Sequence, residues 1–167
     1  MNKSIKVFFT FPETINEVAA RLVATGVILL SLITLYFLSQ NNNFVLIPFA
    51  FLVYGFFARV TSGPKISPLA LFVTKVLVPK LNFREKLVPG PPKRFAQAVG
   101  LIFSLGATIT FILGFINFSI ILISILLLFA SLEAVIGFCA GCKAFKFLMY
   151  MKIIPEDVCE KCSNLEF

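Results

Sequence analysis

Residues 96–138 read A-Q-A-V-G-L-I-F-S-L-G-A-T-I-T-F-I-L-G-F-I-N-F-S-I-I-L-I-S-I-L-L-L-F-A-S-L-E-A-V-I-G-F, and Glu133 is the only ionisable side chain in the run. A helix crossing a bilayer needs roughly 20 mostly apolar residues, because the hydrocarbon core is about 30 Å thick and each residue rises about 1.5 Å. The run is long enough for two such helices. Asn117 is the polar break that divides them, which predicts spans at 96–116 and 118–138.

Working outward, residues 18–38 form a third apolar stretch, interrupted only by Arg21, and 44–60 form a fourth that ends at Arg59. Asn41, Asn42 and Asn43 lie between these two and suit a turn. The chain therefore reads as two transmembrane hairpins, an all-α integral membrane four-helix bundle forming a single membrane domain over 1–167. The composition agrees. Hydrophobic residues make up 59% of the chain and charged residues 14%, and the mean hydropathy is +0.97. Soluble domains carry about 25% charged residues, so water alone would not keep such a surface dispersed. The first stretch is too long for a cleavable signal peptide and is expected to stay as an anchor. Thr14 and Glu17 stand three apart just before it, as in a capping box.

The loop between the hairpins has its own pattern. Ser67 and Pro68 suit a helix start, and Leu69, Phe72, Val73, Val76 and Leu77 recur at helical spacing, which predicts a short interfacial helix over 68–78 stopped by Pro79. The P-G-P-P run at 89–92 is expected to be extended and to lead stiffly into the third span. Within that span Ala96, Gly100, Ser104 and Thr108 repeat every fourth residue, and Gly137 and Gly141 form a G-x-x-x-G; both suit close helix packing, since lipid supplies no hydrophobic drive between helices.

The cations are segregated. Lys3, Lys6 and Arg21 lie at the amino-terminal end, most of the others fall between Arg59 and Arg94, and Lys143, Lys146, Lys152 and Lys161 follow the last span. Neither hairpin turn carries one, so both termini and the central loop are expected on the cytoplasmic side. The formal net charge of +7 is accounted for by this topology and by anionic headgroups of the bilayer, and it implies no nucleic acid partner. The chain has no histidine and no tryptophan, which excludes histidine triads and imidazole metal sites.

Chemistry is left to the cysteines and a few buried polar groups. Cys139 and Cys142 form one C-x-x-C where the fourth span ends, and Cys159 and Cys162 form another in the tail, which runs over 139–167. The spacing admits a four-thiolate zinc site and equally a thiol-disulfide relay, and incidental thiols are the bland alternative. A reducing cytoplasm disfavours a purely structural disulfide. Whether a helix start falls near Cys142 decides how far its thiolate is favoured, and the sequence permits either case. Ionisable residues inside spans are costly and so are candidate sites. Arg21, Glu133 and Gln97 lie at a similar depth below the cysteines. An Arg21–Glu133 pair is the structural reading; the functional one has Glu133 move protons for the thiols.

The run P-P-K-R-F-A-Q-A-V-G at 91–100, the hairpin after it and G-F-C-A-G-C at 137–142 together resemble the domain-of-unknown-function family numbered 4395, over roughly 16–147. The resemblance implies a small multi-pass protein of the bacterial inner membrane, with a thioredoxin-like or rhodanese-like soluble partner, and covers Cys139 and Cys142 directly. The leading expectation is thiol-disulfide or sulfur-transfer exchange at Cys139 and Cys142, with Cys159 and Cys162 relaying to them, Glu133 handling protons and Arg21 and Gln97 in support. Its rivals are a zinc-clipped scaffold holding one ion on Cys139, Cys142, Cys159 and Cys162, and a small-solute carrier or channel subunit, which would need a homo-oligomer because four helices enclose little pore.

Overall fold

The computed structural model describes residues 11–12, 14–81, 86–151 and 153; Cys159 and Cys162 lie outside the described residues, as do Lys3, Lys6, Lys152 and Lys161. A short strand β1, Thr14–Asn16, leads into α1, Glu17–Ser39. After a turn and a 3₁₀ segment comes α2, Leu46–Ser62. The loop helix α3 consists of Pro68–Phe72, a π-helical turn Val73–Leu77 and Val78–Leu81. Strand β2, Leu87–Pro89, precedes α4, Gly90–Ile112; α5 is Ile116–Ile136 and α6 is Ala140–Tyr150. Four of these segments, Glu17–Ser39, Asn43–Lys65, Gly90–Ile112 and Ile116–Ile136, are long and apolar enough to cross a membrane.

The bundle places α1 along α5, α2 along α4, and α4 along α5, with α6 folded back on α4. Its surface is inverted relative to a soluble domain. Ile102, Ile112, Leu113, Phe118 and Val135 are exposed, whereas Ser31, Thr34, Ser104 and Ser119 are fully buried. Such an apolar exterior suits lipid, and small buried residues let the helices close up. Thr34 Oγ1 donates to its own helix at Leu30 O (2.7 Å), and Ser119 Oγ donates across to Ala107 O (2.9 Å), tying α5 to α4. Phe49, Leu52, Ile123 and Leu38 fill the core towards the hairpin turns.

Several sequence expectations are corrected by local chemistry. Thr14 does not cap α1, because it pairs with Pro89 in the antiparallel β1–β2 ribbon; Asn16 is the cap, its Oδ1 accepting from Val18 N at 3.0 Å. The P-G-P-P run is extended only as far as Pro89. Helix α4 already starts at Gly90, since prolines in a first turn lack only an N–H that has no helical partner anyway. The second hairpin turns at Gly114, whose φ is +84°, and Asn117 lies inside α5. Pro79 does not end α3. A proline ring clashes with the carbonyl four residues back, and the π turn at Val73–Leu77 widens the helix there. Ala70 and Val73 of α3 are buried against Ala19 and Val23 of α1, so part of the apolar face meets protein.

The ribbon matters for function because it joins the entry of α1 to the entry of α4. Glu17 N donates to Lys86 O at 2.7 Å beside it. Both hairpins are thereby fixed to each other at the end of the bundle that carries Cys139.

Candidate functional site

The cysteine pair is built by a break in the helix. Gly137 adopts φ +74°, a left-handed conformation that suits glycine, and closes α5: Gly137 N donates to Glu133 O and Phe138 N to Leu132 O, both at 3.1 Å. Gly137 therefore ends a helix and is no part of a packing G-x-x-x-G. Arg21 completes this cap. Its Nε and Nη2 donate to Ala134 O (3.2 and 3.1 Å) and its Nη2 to Val135 O (2.8 Å), where the carbonyl end of the helix welcomes a cation.

Two residues on, α6 begins with Cys139 as its N-cap. Its Sγ accepts from Cys142 N at 3.3 Å, and the two sulfurs are joined as a disulfide. Of the alternatives left open by the sequence, a helix start is thus the one present, at Cys139 itself. The positive end of an eleven-residue helix stabilises a thiolate there when the bond is open. Gly141 allows α6 to lie on α4: a Cβ at this position would come within 2.6 Å of Ala96 Cα, backbone that no rotamer change can move. Phe145 is buried and its ring meets Phe95 at 5.8 Å. Cys139 is buried and Cys142 half-buried.

The Arg21–Glu133 pair is not formed, because Arg21 is taken by the α5 carbonyls. Glu133 instead accepts from Lys93, with Nζ to Oε1 at 2.6 Å and both side chains largely shielded. Lys93 escapes a reading that starts the third span at 96. Proline in a first turn is the signal that puts Lys93 on the helix, facing inward. Arg59 is likewise buried: Nε donates to Gln97 Oε1 (2.7 Å), Nη1 to Ser67 Oγ (3.4 Å), and the guanidinium lies 4.5 Å from the centre of the Phe56 ring. Gln97 and Glu133 line one cavity, with Arg59 and Lys93 as their partners and Arg21 standing apart at the helix end.

Two hollows meet at the cysteines. An outer groove of about 310 Å³ is lined by Cys139, Cys142, Lys93, Lys143, Lys146, Phe138 and Met149, among others. An inner cavity of about 170 Å³, open to the surface to about the same degree as the groove, runs between the spans and is lined by Cys139, Glu133, Gln97, Arg59, Phe56, Phe103 and Phe129, with several alanines and glycines. Cys139 forms part of both walls, whereas Cys142 borders only the outer groove. As for a metal, the described residues contain no group of three or more cysteine or carboxylate side chains placed to hold one.

The family model described as "Domain of unknown function (DUF4395)" matches residues 15–150. The chain belongs to the DUF4395 family. That match takes in both hairpins, Arg21, Lys93, Gln97, Glu133, Cys139 and Cys142, and stops short of Cys159. No curated protein and no solved structure matches this DUF4395 chain.

Proposed function

We propose that this DUF4395 protein exchanges disulfides with a soluble dithiol partner through Cys139 and Cys142. The observation that carries the reading is the C-x-x-C at a helix N-terminus, one sulfur capping the helix and the other turned to an open, lysine-lined groove. In the exchange, a partner thiolate attacks Cys142 Sγ, the more accessible sulfur. The S–S bond breaks and its electron pair leaves on Cys139 Sγ, where the α6 N-terminus stabilises the thiolate. The partner's second thiolate then attacks its own sulfur in the mixed disulfide and releases Cys142, which takes a proton. The partner leaves oxidised by two electrons and the membrane chain holds the dithiol.

Topology supports a cytoplasmic partner. Among the described residues the lysines and the arginines all lie at the cysteine end of the bundle, and the turns at 40–42 and 113–115 carry none, a partition that supports a cytoplasmic position for the site. A disulfide serving only structure is seldom kept there, which favours a pair that turns over. Lys143 and Lys146 on the groove rim suit a partner with an acidic surface around its thiols. The reading is tested by Cys139→Ser. The variant's Cys142 is activated as the thionitrobenzoate disulfide and mixed with a thioredoxin-like partner whose second cysteine is serine; the partner thiolate should displace thionitrobenzoate and, with no resolving sulfur on either side, stay on Cys142 as a covalent adduct seen by mass spectrometry, and absence of any adduct would count against exchange.

A further inference from the structure

The inner cavity is explained neither by packing nor by exchange at the groove. It begins at Cys139 and reaches Val27, ten residues into α1 and so about 15 Å along the helix axis from its start. Its volume of about 170 Å³ is close to that of a cavity known to take one benzene molecule, about 150 Å³, so one six-membered ring fits. The walls suit a ring as well. Phe56, Phe103 and Phe129 supply aromatic faces, and Phe103 and Phe129 are half-buried and meet edge-to-face at 6.2 Å.

The polar groups are few and one-sided. Gln97 lines the cavity and accepts from Arg59 through Oε1, and its amide N–H groups are donors. Arg59 and Lys93 are both buried beside the carboxylate of Glu133, while the similarly shielded Glu17 carboxylate is paired with Lys86. An excess of buried positive charge is costly unless something negative or electron-rich meets it. The hollow thus wants an apolar ring bearing hydrogen-bond acceptors on which negative charge can grow, and it puts that ring against the buried sulfur of the pair.

We propose that this cavity binds the ring of a lipid-soluble quinone, which takes the electrons from Cys139 and Cys142 after each exchange. The inference rests on the exchange proposed above and names its electron acceptor. The dithiol loses two electrons and two protons and the S–S bond forms; the quinone gains both electrons, and its two carbonyl oxygens take the two protons, giving the hydroquinone. Gln97 and Arg59 donate to an oxygen as charge develops on it, and Glu133, on the same wall as Cys139, passes a thiol proton inward.

Binding is measured separately from electron flow. The oxidised full chain in lipid nanodiscs is titrated with a short-tail benzoquinone, followed by equilibrium binding, and the reduced chain is then mixed with the same quinone while hydroquinone and free thiols are counted. The expected result is saturable binding of one quinone per chain, weakened about tenfold by Gln97→Leu through loss of its donor, and one hydroquinone for each two thiols lost. Cavity filling by Ala130→Phe should also weaken binding. No saturable binding to a chain that still forms the Cys142 adduct would overturn the quinone site and leave the exchange standing. Equal binding by both variants and the parent would overturn the placement in this cavity, and binding without thiol oxidation would overturn the electron transfer.

Discussion

Replacing Glu133 by leucine is expected to lower the stability of the bundle by about 3–5 kcal/mol, the usual result of removing one partner from a buried ion pair. Lys93 Nζ lies 2.6 Å from Glu133 Oε1, and their side chains are only 7% and 15% exposed. Loss of the carboxylate would leave Lys93 and Arg59 as two buried cations without their ion-pair partner. The double variant Lys93→Met with Glu133→Leu should recover much of the loss, because it removes a cation together with the anion. Unfolding in detergent monitored by circular dichroism provides the measurement. A single variant as stable as the parent would show that the ion pair is dispensable, and with it the electrostatics assigned to the inner cavity.

The second large effect is on exchange. Cys142→Ser should reduce disulfide exchange with a soluble dithiol to the rate of the buffer alone, while Cys139→Ser retains adduct formation without turnover. The asymmetry follows from placement: Cys142 borders only the outer groove, and Cys139 is buried between groove and cavity. Stopped-flow measurement of partner oxidation separates the two variants. If Cys142→Ser turned over normally, Cys139 alone would be sufficient and the order of attack argued above would be wrong.

The spans were legible because lipid demands long apolar runs, and α1, α2, α4 and α5 fall where those runs lie, shifted by a few residues at their ends. The shifts had consequences. Counting Pro91 and Pro92 as extended hid the first turn of α4 and therefore Lys93, the true partner of Glu133. The spacing puts Arg21 and Glu133 at a similar depth, but depth along a helix does not fix the direction a side chain takes around it. The Gly137 turn, which frees the α5 carbonyls for Arg21, could not be told from a packing glycine by spacing alone. The helix start at Cys139 needs that turn too, and a sequence that allows either a continuous helix or a break cannot choose between them. The cavity was the least legible feature, since a hollow depends on what small residues on three helices leave empty together.

The exchange reading and the zinc reading make opposite demands on Cys139 and Cys142. The most direct measurement is therefore to purify the full chain in detergent without chelators or affinity-tag metals, equilibrate it across glutathione buffers of graded redox poise, and count zinc and free thiols by mass in each sample. The account predicts a reversible two-electron change localised to Cys139 and Cys142 with no stoichiometric zinc. About one zinc per chain, with all four thiols protected and unresponsive to the buffer, would contradict it.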